Sequence, residues 1–264
     1  MSQEEERIRA GVLLTIAYDG HAFHGFAAQP DVRTVSGVLL TAVQTIDHEV
    51  ALLRGASRTD AGVHARGQLV AFDTTKSIPP KGWALGINQV LPDDLAVSRA
   101  ALVAAGFNPR FKNVRKTYVY ELHVSPARDP LKRHRAWWVH PPLDVARMER
   151  EALSLVGDHD FAAFRSAADE RENTRRTIFA VSIDVAPCRI SVAVSGSGFM
   201  HNMVRIIVGT LVDVGRGRLP EGAIARALAN GDRLSCGMTA PPDGLLLDAI
   251  DLDPSITLDG SWPS

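Results

Sequence analysis

The sequence predicts an α+β fold in two similar halves. Three observations carry this reading. Strand-like apolar runs and segments of helical period interleave through roughly the first hundred residues, and the same interleaving resumes at Lys116. Between them lies Gly106–Arg115, a polar stretch with Pro109, Arg110, Lys112 and Arg115 that reads as a connector. The expected division is a tail at residues 1–10, an N-terminal half at 11–105 and a C-terminal half at 106–264. A cleft between two such halves is the natural place for a ligand.

In the first half, GVLLTIAY (Gly11–Tyr18) is apolar and β-branched and stops at Asp19-Gly20, as a buried strand before a turn does. Thr34–His48 reads as a helix with Thr34 as N-cap and Val35, Val38, Leu39, Ala42, Val43 and Ile46 on one face. Gln68–Asp73 is a strand, Trp83–Val90 a helix, and Leu95–Val103 a returning strand. In the second half, Lys116–Val124 alternates as a strand and Ala136–Val139 is a short one. Val145–Val156 is a helix, and Ile178–Val185 with Ile190–Ser195 form a hairpin. Phe199–Val214 and Pro220–Ala229 are helices, and Leu246–Leu252 closes with a strand. SAADERENTRR (Ser166–Arg176) has no apolar period and reads as an exposed, mobile loop; Arg171, Arg175 and Arg176 are available there for phosphate.

Composition bounds the function without choosing it. The chain has 264 residues, 45% hydrophobic and 22% charged, which fits a globular protein. Cys188 and Cys236 lack metal-ligand spacing and are too few for a disulfide framework, so a reducing, cytoplasmic setting is expected. The acidic N-terminus is no secretory signal, and Met203–Val214, broken by Arg205 and Asp213, is too short to span a bilayer, so no membrane role is expected. The net charge of −1 does not suggest a polyanion ligand, but a groove feels only its own lining. The 24 Arg against 5 Lys suit bidentate phosphate contacts, although a codon bias yields the same count.

SRTDAGVHA (Ser57–Ala65) carries the most chemistry. It is small and polar between two apolar segments, and it sets Asp60 beside Arg58, whose charge favours the carboxylate form. Read alone, Arg-Thr-Asp-Ala-Gly fits a capping turn better than a catalytic corner. His64 reads as a packing residue or the holder of a backbone group. No Walker loop, dinucleotide fingerprint, nucleophile elbow or metal-spaced histidine pair is present in the sequence.

SRTDAGVHA also resembles the signature of the TruA family of tRNA pseudouridine synthases. AYDGHAFHGFAAQ (Ala17–Gln29), RTVSGVL (Arg33–Leu39), NQVLP (Asn88–Pro92), FNPRFKNVRKTYVY (Phe107–Tyr120) and DFAAFR (Asp160–Arg165) are similar to further family segments in the expected order. So are FMHNMVRIIVGTLVDVGRGR (Phe199–Arg218) and TAPPDGLLL (Thr239–Leu247). Together they span about residues 11 to 252. The sequence departs from the family at Phe26-Ala27, Ser36, Ser57 and Asn108, none of them a matched catalytic position.

The resemblance implies that each half is a mainly antiparallel sheet with helices on one face and an active-site cleft between them. It implies an isomerase that needs no cofactor or metal. Such an enzyme breaks the N1–C1′ bond of a uridine, turns the uracil and rejoins it through C5, after flipping the nucleotide out of its stack. Asp60 matches the catalytic Asp, Tyr118 the aromatic residue at the base, and Arg58 and Arg205 the basic lining. The implied substrate is the anticodon stem-loop of tRNA at positions 38, 39 and 40, bound by a homodimer. Independently, Arg205 stands in the otherwise apolar run Met203–Val208, where a charge needs a partner. Two rivals are a paralogue that only binds RNA or acts on another RNA uridine, and a glycosidase or nucleosidase using Asp60 as nucleophile. The second rival lacks the paired carboxylate beside Asp60 that such chemistry usually uses.

Overall fold

A computed structural model describes residues 10–166, 169 and 171–263; the expected tail therefore lies outside the described residues except for Ala10. The described chain forms two compact units, one running through Val114 and resuming at Ala249, the other comprising Arg115–Asp248.

The first unit is built on β1 (Ala10–Tyr18), α1 (Val35–Gln44), β2 (Arg54–Gly55), β3 (His64–Thr74), α2 (Pro80–Asn88), β4 (Leu95–Val103) and α3 (Pro109–Lys112). β1 lies between β3 and β4, antiparallel to both, and β2 pairs with β3. Thr34 caps α1 by accepting from the Gly37 N–H, as the sequence predicts. Pro80 opens α2, where its missing N–H costs no hydrogen bond. The helix lies on β4, with Trp83 wholly buried and edge-on to Phe72 at 5.1 Å. Asn88 closes it by accepting from the Val97 N–H and donating to its C=O, at 2.8 and 2.9 Å.

The second unit begins within β5 (Asn113–Val124) and adds β6 (Trp137–Val139), α4 (Val145–Leu153), β7 (Gly157–Asp160), β8 (Arg175–Ala186), β9 (Arg189–Gly196), α5 (Met203–Gly215) and α6 (Ala223–Asn230). β5, β9, β8 and β7 follow one another as antiparallel neighbours, with β6 parallel to β5. β10 (Leu245–Leu252) carries the chain back into the first unit, where β11 (Asp259–Trp262) pairs with β4. The fold class is thus α+β with mainly antiparallel pairing.

The units divide differently from the boundary expected at residue 105. The polar stretch after it is held by the first unit: the Gly106 N–H donates to Asp73 Oδ1 at 2.9 Å and Arg54 Nε to the Phe107 C=O at 2.8 Å. Asn108 caps α3 through the Arg110 N–H, and the Lys112 C=O accepts from the Asp253 N–H. β2, β7 and β11 escape the sequence because segments of two to four residues show no period.

Every residue of α5 except Arg205 is buried. It starts at Met203 rather than Phe199, because Asn202 takes a left-handed conformation at φ 62°. Segment 237–240 runs along the helix: the Gly237 N–H donates to Thr210 Oγ1 at 3.0 Å and the Met238 N–H to Asp213 Oδ2 at 3.1 Å. This approach is possible only because Gly209 has no side chain, since a Cβ there would stand 1.8 Å from the Met238 C=O oxygen. Among the described residues, no helix is long and apolar enough to cross a membrane.

In an exposed helix, Gly→Ala stabilises by about 1 kcal/mol. At Gly209 we expect the opposite sign, a loss of about 1–3 kcal/mol from overpacking, read as a lower thermal midpoint. A midpoint at or above that of the parent would contradict this packing.

Candidate active site

The loop between β2 and β3 carries Arg58 and Asp60, and its backbone is fixed from its first residue. The Ala56 N–H donates to the Leu69 C=O at 2.9 Å. Gln68, wholly buried in β3, accepts from the Ser57 N–H at 3.2 Å and donates to the Ser57 C=O at 2.7 Å. Its amide thereby replaces a missing strand neighbour. Next, Thr59 turns inward, where its hydroxyl meets the Tyr18 hydroxyl at 2.8 Å, both residues being buried. The Thr59 C=O accepts from the Phe26 N–H at 3.1 Å. Asp60 then opens a turn closed by the Val63 N–H on its C=O at 3.2 Å, with Gly62 at φ 80°.

Segment 20–26 lies against this turn and is shaped by glycine. A Cβ on Gly20 would stand 2.0 Å from the Val63 C=O oxygen, so only glycine lets the two backbones approach. The Gly62 N–H donates to the Phe23 C=O at 3.3 Å. His64 Nδ1 stands 3.1 Å from both the Gly20 N–H and Asp19 Oδ1. A lone pair there accepts from Gly20 and a proton there would be given to Asp19, so one tautomer serves one partner. Phe26 fills the space left by Gly55, where a Cβ would meet its ring at 2.3 Å.

Arg58 and Asp60 thus flank the buried Thr59 on one loop. Asp60 is half-buried, whereas Arg58 is exposed and, among the described residues, has no hydrogen-bond or ion-pair partner. The sequence reading paired Arg58 with Asp60; the loop instead leaves the guanidinium open to solvent, where an anionic ligand can reach it.

Tyr118 and Arg205 belong to the second unit. Tyr118 is buried on β5, edge-on to Phe199 with ring centroids 5.1 Å apart. Arg205 has the partners its apolar surroundings demand: Nη1 donates to Asn202 Oδ1 at 2.6 Å and Nε to the Ala240 C=O at 2.7 Å. The Ala240 N–H in turn donates to the Arg205 C=O at 3.1 Å. The charge of Arg205 reaches Tyr120, whose phenol is driven far above its usual range by burial despite that cation. Tyr118 and Tyr120 are two apart on β5 and so share one face of the strand.

Against this geometry stand the comparisons with known proteins. A family model described as tRNA pseudouridine synthase matches residues 14–112 and 152–251. The chain belongs to the tRNA pseudouridine synthase family. It is 42% identical over 237 residues to tRNA pseudouridine synthase A of Citrifermentans bemidjiense, covering 89% of this chain and 95% of that one. It is likewise 42% identical over 239 residues to the same enzyme of Geobacter sulfurreducens, covering 90% and 98%. The match to Brevibacillus brevis is 41% over 232 residues, covering 88% and 95%. Among solved structures, an archaeal box H/ACA Nop10–Cbf5 complex matches at TM-score 0.32 and 9% identity, covering 77% of this chain and 43% of that one. The synthase is accordingly an isomerase by family.

Four residues that support the site were not singled out by sequence reasoning. Gln68 leaves a trace, as a lone amide in the strand HARGQLVAFDT. Tyr18 and Thr59 sit within quoted motifs, but nothing in spacing shows that their hydroxyls meet. Asn202 needs its left-handed backbone to be known first.

The charged loop 166–176 also differs from expectation. Ala167, Ala168 and Glu170 lie outside the described residues, but Asp169 is buried and engaged. Its carboxylate accepts from Arg171 Nε at 2.8 Å, from Arg171 Nη2 at 2.5 Å and from the His201 N–H at 2.9 Å. The Ser166 N–H donates to the His201 C=O at 3.1 Å, so the described part of the loop clasps the residue before Asn202. Of the three arginines offered to phosphate, Arg171 is tied to Asp169 and Arg175 to Asp158 at 2.9 Å, while Arg176 is drawn onto backbone carbonyls.

Hydrogen bonds from Arg171, and then from the His201 N–H, hold the Asp169 carboxyl well below the usual carboxylate range against the opposing effect of burial. A depressed folded-state pKa gives stability that is present above the unfolded value and lost as pH falls through the folded one. Asp169→Asn should therefore lose stability near neutrality and lose less than the parent on acidification below about pH 4. Thermal midpoints against pH check this; parallel curves would contradict it.

Proposed function

We propose that this synthase isomerises uridine to pseudouridine in the anticodon stem-loop of tRNA, at positions 38, 39 and 40, with Asp60 as the catalytic nucleophile. The observation that carries the reading is the fixed loop. A half-buried carboxylate sits on backbone held immediately before it by Thr59 and after it by the Val63 N–H, inside a family whose activity is uridine isomerisation.

The substrate uridine is flipped from its stack into reach of Asp60. Asp60 acts on the ribose as the N1–C1′ bond breaks: an ester formed at C1′ is released when C5 bonds there, or a ribose proton taken instead is returned as C5 bonds. The freed uracil turns, C5 bonds to C1′, and the C5 proton is lost while N1 gains one. The product is an isomer, so the balance needs no oxidant, reductant or energy source. Tyr118 bears on the base, Arg58 on phosphate, and Arg205 on the charged groups gathered around the uridine. Exposure suits Arg58 to a mobile polyanion, and the Asn202 and Ala240 oxygens hold Arg205 in a single pose. The synthase works in the cytoplasm as a homodimer, which brings basic residues of two chains onto one tRNA.

Asp60→Asn keeps the shape of the side chain and removes its charge and nucleophilicity. Tritium release from tRNA labelled at uracil C5 should fall at least a thousandfold while tRNA binding persists; turnover within tenfold of the parent would refute the role of Asp60. At Tyr118, Leu keeps apolar volume but loses the π-face, which is worth about 1–3 kcal/mol against a base. Leu should lower activity well beyond its effect on the thermal midpoint, and Phe should retain tRNA binding. A Leu variant that melts early, paired with a Phe variant silent in every assay, would leave Tyr118 a packing residue against Phe199.

A further inference from the structure

We propose that Tyr18 is a positioning residue for Asp60, acting through the hydroxyl of Thr59. The inference rests on the function proposed above and adds to it a residue that never needs to touch the uridine.

Three independent features converge on this pair. First, both hydroxyls are buried and stand 2.8 Å apart, so each is the other's partner where water cannot substitute. Second, the pairing of β1 with β3 slips between Ile16 and Tyr18. Such an irregularity re-aims a side chain at a strand end, and it occurs here at the residue whose hydroxyl must reach Thr59. Third, the Tyr18 ring is itself anchored. It lies edge-on to Phe23 at 6.3 Å, the Arg33 guanidinium covers Phe23 at 4.0 Å, and Arg33 forms a bidentate pair with Asp94 at 2.8 Å through both nitrogens. The Asp19 N–H donates to the Asp94 C=O at 2.9 Å, which returns this chain of contacts to the residue after Tyr18.

Asp60 follows Thr59 directly, so its Cα is placed by the backbone that Thr59 anchors. The Thr59 C=O is fixed by the Phe26 N–H, but that bond leaves rotation of the residue about its own axis unset. The inward hydroxyl supplies the second point. With two points held, the next side chain must leave the loop on the opposite side from Thr59, which is where a carboxylate has to meet a flipped nucleotide. Losing the hydroxyl pair loosens Thr59 and widens the range of Asp60 poses, although the Val63 N–H still closes the turn that follows. Tight positioning affects the chemical step, whereas tRNA affinity is spread over many phosphate contacts.

The test compares Tyr18→Phe, Thr59→Val, their double variant and Thr59→Ser with the parent, using tritium release from tRNA together with thermal midpoints. Tyr18→Phe and Thr59→Val should each lower kcat about tenfold with KM within twofold. The double variant should be no slower than the slower single one, because both remove the same contact. Thr59→Ser keeps a hydroxyl and should recover most of kcat. A kcat within twofold of the parent for Tyr18→Phe, or single effects that multiply in the double variant, overturns the proposal. Tyr18→Phe deletes a single oxygen and decides alone if Thr59→Val fails to fold. A parent protein that releases no tritium overturns the proposed function; a parent that turns over no faster than Tyr18→Phe overturns only the positioning role.

Discussion

The grip of buried side chains on the backbone of loop 56–63 is the constraint on which the candidate site depends. A loop of small residues between two strands has little apolar surface of its own to bury, so local packing cannot hold it still. Gln68 at Ser57 and Tyr18 at Thr59 supply what packing does not, and both act from strands of the same sheet. Arg58 is exposed and Asp60 half-buried, while Thr59 between them is buried. Precision comes from the sheet and exposure from the loop, the usual division of labour where function sits on connections between rigid elements.

The second unit meets a comparable demand with a helix. Arg205 lies on α5, whose remaining residues are all buried, and a guanidinium there must be matched by acceptors. Asn202 and Ala240 provide them, and each depends on an unusual backbone feature. Asn202 reaches Arg205 from a left-handed residue, while Ala240 is delivered by a segment that passes over Gly209. The clasp of Asp169 and Ser166 on His201 holds the same turn from outside. A charged segment that reads as plain surface is therefore tied to the geometry of a site residue.

Much of this was legible in the sequence. Long elements with a clear period, such as β1, β4, β9 and α1, sit close to where alternation and capping place them, because burial on one face leaves a strong imprint on residue choice. The two-unit α+β layout follows from the same imprint. What escaped was set by tertiary contact. The connector at Gly106–Arg115 belongs with the first unit because Asp73 and Arg54 hold it, and no local pattern announces that. Asp60 and Arg58 were visible as a motif, yet the burial of Thr59 between them was not, since it depends on a hydroxyl 41 residues away. Asp169 looked like one charge among many because burial of a single carboxylate leaves no periodic trace.

The central claim is that a carboxylate on a fixed loop isomerises uridines of the tRNA anticodon arm. Its most direct test is to map pseudouridine in tRNA from cells with the gene, without it, and without it but carrying the Asp60→Asn form. The account predicts pseudouridine at positions 38, 39 and 40 only where the parent protein is present, with uridine at those positions in the other two. Unchanged modification in cells lacking the gene, or restoration by Asp60→Asn, would contradict it.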